Sequence, residues 1–160
     1  MSPLEAILPT VAGFVLGLVP GWLDRKRRLR THWCAVRAEF DLCKEMADKL
    51  LADNILSPLY RLPTVAFQTS FPLLLAEGAL TEKESLALTW FSNHVQEMNR
   101  GLDLAAEAHT SGDHALLKKE YDRNCVKARA LVQSADGREC LYAIARQIVD
   151  AKIRLKWWKY

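Results

Sequence analysis

The chain has 160 residues and a mass of 18.2 kDa; 50% of it is hydrophobic and 26% charged, with only 7 Gly and 6 Pro. That composition bounds it to one domain with at most a short appendage, and excludes a disordered chain, a collagen-like repeat and a Gly-rich linker. Few glycines, many Ala and Leu and hardly any β-branched clusters favour helix over sheet. A net charge of +3 is too small to imply nucleic acid, and four cysteines at 34, 43, 125 and 140 are too sparse for a disulfide scaffold.

From Ala6 to Leu23 the sequence AILPTVAGFVLGLVPGWL carries no charge. As a helix its eighteen residues reach about 27 Å, close to the hydrocarbon thickness of a bilayer. Trp22 falls where an aromatic belt residue meets the headgroups, and five basic residues follow at Arg25, Lys26, Arg27, Arg28 and Arg30. A secretory signal carries its positive charge before the apolar run and a small-residue cleavage site after it; here the order is reversed. The apolar residues run all round the helix, which argues against an interfacial helix, and Pro9, Pro20 and three glycines weaken a buried core helix in water. The expectation is therefore a transmembrane anchor over 1–23. The positive-inside rule then places the N-terminus outside and 24–160 in the cytoplasm, in a bacterial cell on the inner membrane.

Within the anchor, Gly13, Gly17 and Gly21 repeat at every fourth position and share one helix face, which lets another helix pack closely. Pro20 is expected to interrupt the last turn. The charge is unevenly spread: 31–151 holds 13 basic and 17 acidic residues between two basic ends. The C-terminal end interleaves Lys156, Trp157, Trp158, Lys159 and Tyr160, a basic-aromatic composition that settles on an anionic lipid surface. A tail that is simply solvated or bound by a partner protein is the alternative; single-stranded nucleic acid attracts the same residue types, but a chain already tethered to a bilayer meets lipid first, so nucleic acid is not an expected partner.

After the basic block, Leu29, Trp33, Val36, Phe40, Cys43, Ala47 and Leu50 step by four and three, a heptad seam with Arg37, Glu39, Asp41, Lys44, Glu45 and Lys49 on the other faces. This helix is expected to grow out of the anchor and reach about Asn54, ended by Ser57-Pro58 and Leu62-Pro63. A stubby helix follows Pro63. Thr81 and Glu84 form a capping box for a second long helix with Leu86, Trp90, Val95, Met98, Leu102 and Ala105 on its apolar face. Thr110 to Asp113 read as a turn, and Asp113 caps a third helix through Leu117, Tyr121, Ala128 and Leu131. At Asp136-Gly137-Arg138-Glu139 the chain either breaks, with Asp136 as the next cap and Glu139 at N3, or runs on as one helix; the break is preferred. The last helix shows Leu141, Ile144, Ile148, Ala151 and Leu155 on one face. With a break, the helices run away, back, away and back, which returns the aromatic tail to the membrane. The fold class expected is all-α: a transmembrane helix followed by an antiparallel cytoplasmic bundle of about four helices.

No motif carries chemistry. No C-x-x-C occurs, His32 and Cys34 face apart on a helix, and Cys43 lies on the heptad seam as a small buried thiol. His94 and Glu97 make H-x-x-E, and Glu107, His109 and His114 surround a turn, but the paired Glu-x-x-His of carboxylate-bridged di-metal bundles is absent. Nucleotide-binding and nucleophile-elbow motifs are absent as well. The expectation is no enzyme, no metal and no cofactor.

Residues 60–104, with YRLPTVAF and then ALTEKESLALTWFSNHVQEMNRGLD, resemble small single-span bacterial proteins of unknown function. In those an anchor and a long helix precede L-P-T-x-A-F/W, an apolar stub and a helix with aromatic and Asn positions. Here these are Leu62, Pro63, Thr64, Ala66 and Phe67, then Trp90, Phe91 and Asn99. The resemblance implies a tethered helical domain and carries no activity with it. The function expected is a membrane-anchored interaction or scaffold protein, or an accessory subunit of a larger membrane complex, whose partners are the bilayer and either copies of itself or other subunits. The alternative is an oligomeric membrane-active protein, a pore former or effector; against it, the apolar run offers no polar stripe to line a water-filled path.

Overall fold

The computed structural model describes the backbone of residues 3–53, 61–135 and 137–154, and within the first helix the side chains of 19–52. It is all-helical: α1 (Pro3–Asp53), α2 (Val65–Ala76), α3 (Glu82–Ser111), α4 (His114–Val132) and α5 (Leu141–Arg154). Among the described residues the only β pairing is the isolated bridge between Ala135 and Arg138. Among the described residues five helices form the bundle where about four were expected, the addition being the stub after Pro63, which is a twelve-residue helix, α2. The apolar run and the first bundle helix form one rod of 51 residues, about 77 Å long. The helix continues through Pro20, where an interruption was expected. A proline ring removes one i to i−4 hydrogen bond, and the helical turns on both sides carry the chain across it. Among the described residues no helix is long and apolar enough to cross a membrane; the side chains of 6–18, most of the apolar run, lie outside them.

All seven seam residues of α1, from Leu29 to Leu50, are buried. Heptad spacing keeps them on one stripe for six turns, and the remaining helices assemble along it. The first to do so is α2. It runs antiparallel to α1, with its start at Glu39, its middle at His32 through Ser70, and its end at Arg25 through Glu77. Thr64 gives α2 no side-chain cap. The Glu39 carboxylate does that work, accepting the backbone N–H groups of Ala66 at 2.5 Å and Phe67 at 2.8 Å. A helix start leaves its first N–H groups without partners, and a carboxylate there also meets the positive end of the helix dipole. Glu39 is consequently 7% exposed, a correction to its expected place on the polar face.

The chain before α2 is held just as closely. Asn99 of α3 accepts from the Leu62 N–H at 2.8 Å and donates to its carbonyl at 2.9 Å, while the Cys43 thiol donates to the Pro63 carbonyl. The L-P-T-x-A-F stretch is thus the corner that docks α2 into the groove of α1 and α3. Phe40 packs against Phe91 in a tilted arrangement with ring centroids 4.2 Å apart, and Phe67 stacks on Phe71 at 4.3 Å, filling the space below that corner.

The capping box of Thr81 and Glu84 forms as expected, and α3 ends on Gly112, whose φ of 75° reverses the chain into the Asp113 cap of α4. The buried stripe of α3 is Leu88, Phe91, Val95, Met98 and Leu102. Leu86 and Trp90 were expected there and are 56% and 62% exposed, while Ala105 is half-buried. Residue size misled the pattern: 88, 91, 95, 98 and 102 keep the three-and-four spacing that 86 and 90 break. On α4, Ala128 and Leu131 are buried, Leu117 and Tyr121 half-buried, and the deepest positions also include Glu120 and Asn124.

The chain does break at Gly137, whose φ is 72°. The Ala135 N–H bonds the Arg138 carbonyl and the Arg138 N–H the Ala135 carbonyl, and the Cys140 N–H donates to Ser134. Asp136, the expected cap, lies outside the described residues. Glu139 precedes α5 instead of standing at N3 and accepts from the Gln147 side chain. The inner face of α5 is Ala145 and Val149, with Leu141 and Ile148 partly covered; Ile144 and Ala151 are exposed, and Leu155 lies outside the described residues. What turns the helix from its expected face is charge: Arg146 reaches Asp41 at 2.7 Å, Arg37 reaches Asp150 at 3.4 Å, and the Tyr142 hydroxyl donates to Asp41.

The order of directions also differs from the expectation. α2 is a full return leg, so α3 runs outward, α4 comes back with Lys127 beside His94 and Glu97, and α5 continues back along α1. Gly137 shifts the path sideways without reversing it. Lys152 in the last turn of α5 then meets Glu84 at the start of α3, 2.8 Å away. The chain therefore leaves α5 at the end of the bundle from which α1 enters, as expected, though by a different route.

Candidate functional site: the basic collar of α1

The described part of α1 outside the bundle begins at Val19. Val19 and Leu23 are exposed, and Trp22 is half-buried beneath Lys26, whose Nζ lies 4.1 Å from the ring centroid. A cation over an indole face is attracted by the ring quadrupole, so the two side chains travel as a unit. Gly21 is open: a Cβ built there meets nothing within 4 Å. Gly13 and Gly17 belong to the same helix, at positions beyond the described side chains. The continuous helix puts the three glycines on one face, as i, i+4 and i+8.

Five cations follow within six residues, and the helix separates them. Arg25 and Arg28 turn toward α2 and, with Leu29, His32, Leu73, Ala76 and Glu77, line a groove of about 300 Å3. Arg27 and Arg30 lie outside that lining and are exposed. The Arg25 Nε pairs with the Glu77 carboxylate at 2.5 Å, and His32 Nδ1 lies 3.1 Å from the Ser70 hydroxyl. Arg27, Arg28 and Arg30 have no carboxylate within ion-pair reach among the described residues. Leu73 and Leu75, at the tip of α2, are 49% and 44% exposed. Basic and apolar surface thus meet at one end of the bundle. Lys156, Trp157, Trp158, Lys159 and Tyr160 lie outside the described residues.

Leu73, Ala76 and Glu77 were not singled out from the sequence, and His32 was read there only against Cys34. A usable signal was present: α2 is twelve residues without a charge, VAFQTSFPLLLA, and so short a helix has one face to bury and leucines on more than one.

The groups that could carry chemistry elsewhere are committed to packing. His94 Nε2 contacts the Lys127 carbonyl at 2.8 Å, and Glu97 pairs with Lys127. All four cysteines are free thiols. Burial, reinforced by the nearby Glu39 charge, pushes the Cys43 thiol up to about 12, which makes it a poor nucleophile. Among the described residues no three His, Cys, Asp or Glu side chains gather in a way that could hold a metal ion. A second cavity, about 10 Å3, lies at the α2 corner beside Glu39 and Cys43 and has room for no more than a water. No family model matches the chain, and neither a curated protein nor a solved structure matches it.

Proposed function

We propose that the chain is a membrane-anchored interaction protein, a scaffold or accessory subunit without catalytic activity of its own. Residues 1–23 span the bilayer of a bacterial inner membrane with the N-terminus outside, and 24–160 form the cytoplasmic bundle. The observation that carries this reading is the unbroken α1: one helix passes from the uncharged run, through five basic residues, into a fully buried heptad seam. A rigid rod of that kind holds the bundle at a set distance and orientation from the bilayer, which suits a protein that presents a surface to a neighbour. The open face at Gly21 supports close approach of a second helix, from another copy or another subunit. The likeness of 60–104 to single-span bacterial proteins points the same way.

Removing residues 1–23 tests the anchor. The truncated chain should appear in the soluble fraction, and the full chain should resist alkaline carbonate extraction. A truncated chain that stays firmly on membranes, or a full chain that washes off, overturns the anchor. The native mass of the gently extracted full chain tests assembly: a multiple of 18.2 kDa or the added mass of another chain supports the reading, and a lone monomer overturns it.

A further inference from the structure

We propose that the groove between the basic collar of α1 and the tip of α2 seats the phosphate of an anionic phospholipid. This rests on the membrane reading above and adds a specific lipid site to it. The groove, about 300 Å3, has Arg25, Arg28 and His32 on the α1 side and Leu73 and Ala76 on the α2 side. That division matches the amphiphile. A guanidinium recognises phosphate oxygens through paired N–H groups, and exposed leucines favour the glycerol and first methylenes of the acyl chains.

Charge complementarity selects the occupant. Among the described residues the Arg28 guanidinium has no carboxylate partner, and only the Nε of Arg25 is taken, by Glu77 on the rim. The remaining donors of both arginines are available to an anion. His32 is held at Nδ1 by Ser70, and its other nitrogen has no hydrogen-bond partner among the described residues. Glu77 is the one carboxylate on the groove, so the arginines and carboxylate of the lining carry two positive charges against one negative. Leu73 and Leu75 lie on the α2 tip at the level of Arg25, fixed there by the Arg25–Glu77 pair. α2 thereby brings the exposed leucines beside Glu77 to the depth at which α1 carries its cations, a second contact with the lipid surface about 50 residues along the chain.

The full chain in mild non-ionic detergent, examined by native mass spectrometry, tests this with three probes: dioleoyl phosphatidylglycerol, dioleoyl phosphatidylcholine and inorganic phosphate. The expected result is one phosphatidylglycerol retained per chain in preference to phosphatidylcholine. Arg25→Gln and Arg28→Gln should each lower retention about tenfold, the loss expected when a charge-assisted hydrogen bond to a phosphate oxygen is removed. Leu73→Ser should weaken retention too, whereas Arg27→Gln and Arg30→Gln, outside the groove, should leave it unchanged. Equal losses from Arg27→Gln and Arg28→Gln would mean diffuse charge and would overturn the groove. Displacement of the lipid by millimolar inorganic phosphate would make it a free-phosphate site and overturn the lipid assignment. Carbonate extraction of the same proteins separates the two readings. An anchored chain that retains no lipid defeats the groove alone, and an extractable chain that retains it defeats the anchor alone.

Discussion

The side-chain amide of Asn124 on α4 lies against the bare Cα of Gly101 on α3. A Cβ added to Gly101 would stand 2.3 Å from Asn124 Oδ1 and 2.7 Å from Nδ2. Asn124 is fully buried and neither amide atom has a hydrogen-bond partner among the described residues, so the side chain has nowhere to retreat. Gly101→Ala should therefore cost about 1–3 kcal/mol through overpacking, despite the gain of about 1 kcal/mol in helix propensity. In an Asn124→Ala background the same change should stabilise, by up to about 1 kcal/mol, because the clash is gone and the propensity gain remains. Urea unfolding of the four proteins reads this reversal of sign. Equal effects in both backgrounds would show that Asn124 is not what Gly101 accommodates.

Glu39 is the second internal polar group with a defined task. Replacing it with Ala leaves the N–H groups of Ala66 and Phe67 facing a buried corner without an acceptor, at a cost of about 2–4 kcal/mol. Glu39→Gln keeps one acceptor oxygen and loses the charge at the helix N-terminus, so about 1 kcal/mol is expected. Amide hydrogen exchange should show α2 losing protection before the rest of the bundle in the Ala variant. Uniform loss of protection across all helices would mean that Glu39 supports the whole core and not the α2 dock.

Much of this architecture is legible in the residues, and the parts that are not share a cause. The α1 seam from Leu29 to Leu50 is strict heptad spacing, and the Thr81–Glu84 and Asp113 caps are local patterns, so both can be read without knowing any neighbour. Glu39 cannot be read that way. It flanks the seam, its charge argues for solvent, and only the uncapped start of α2, 27 residues on, draws it inward. α5 offers two apolar stripes, and the one that faces inward is decided by Arg146 and Asp150 finding Asp41 and Arg37 on another helix. The lipid groove joins Arg25 and Arg28 to a helix tip 50 residues away, so its cations are visible in sequence while its apolar wall is not.

The cysteines should separate by accessibility. Cys34 is exposed, while Cys43 and Cys140 are buried. Native alkylation with iodoacetamide at pH 8 should label Cys34 first and leave Cys43 unmodified, since burial and then the Glu39 charge push that thiol up to about 12. Because its folded value is raised, Cys43 stabilises the fold at neutral pH and that contribution is lost as pH climbs from about 9 toward 12. Cys43→Ser should steepen no alkaline transition and should flatten the wild-type one between those values. Rapid labelling of Cys43 in the folded protein would contradict its placement on the seam.

Glu84 gives the acid counterpart, at the junction of α3 and α5. Burial alone would raise its carboxyl, but the Lys152 ammonium together with the Thr81 backbone N–H and hydroxyl outweighs it, and the net effect holds Glu84 below its ordinary value of 4.5. A lowered folded value means that the ionised carboxylate stabilises the native state. The contribution is complete above the unfolded value and disappears as pH falls from about 4.5 through the folded one. Glu84→Gln should accordingly lose about 1 kcal/mol at pH 7, the usual worth of a charged capping interaction, and lose little more on acidification. Wild type and variant should converge in melting temperature once pH has fallen below the lowered folded value. Since Lys152 ties the last turn of α5 to Glu84, Lys152→Met should remove part of the same pH dependence while leaving the Thr81 cap in place. A wild-type acid transition that Glu84→Gln leaves unchanged would show that Glu84 does not carry the acid sensitivity of the fold.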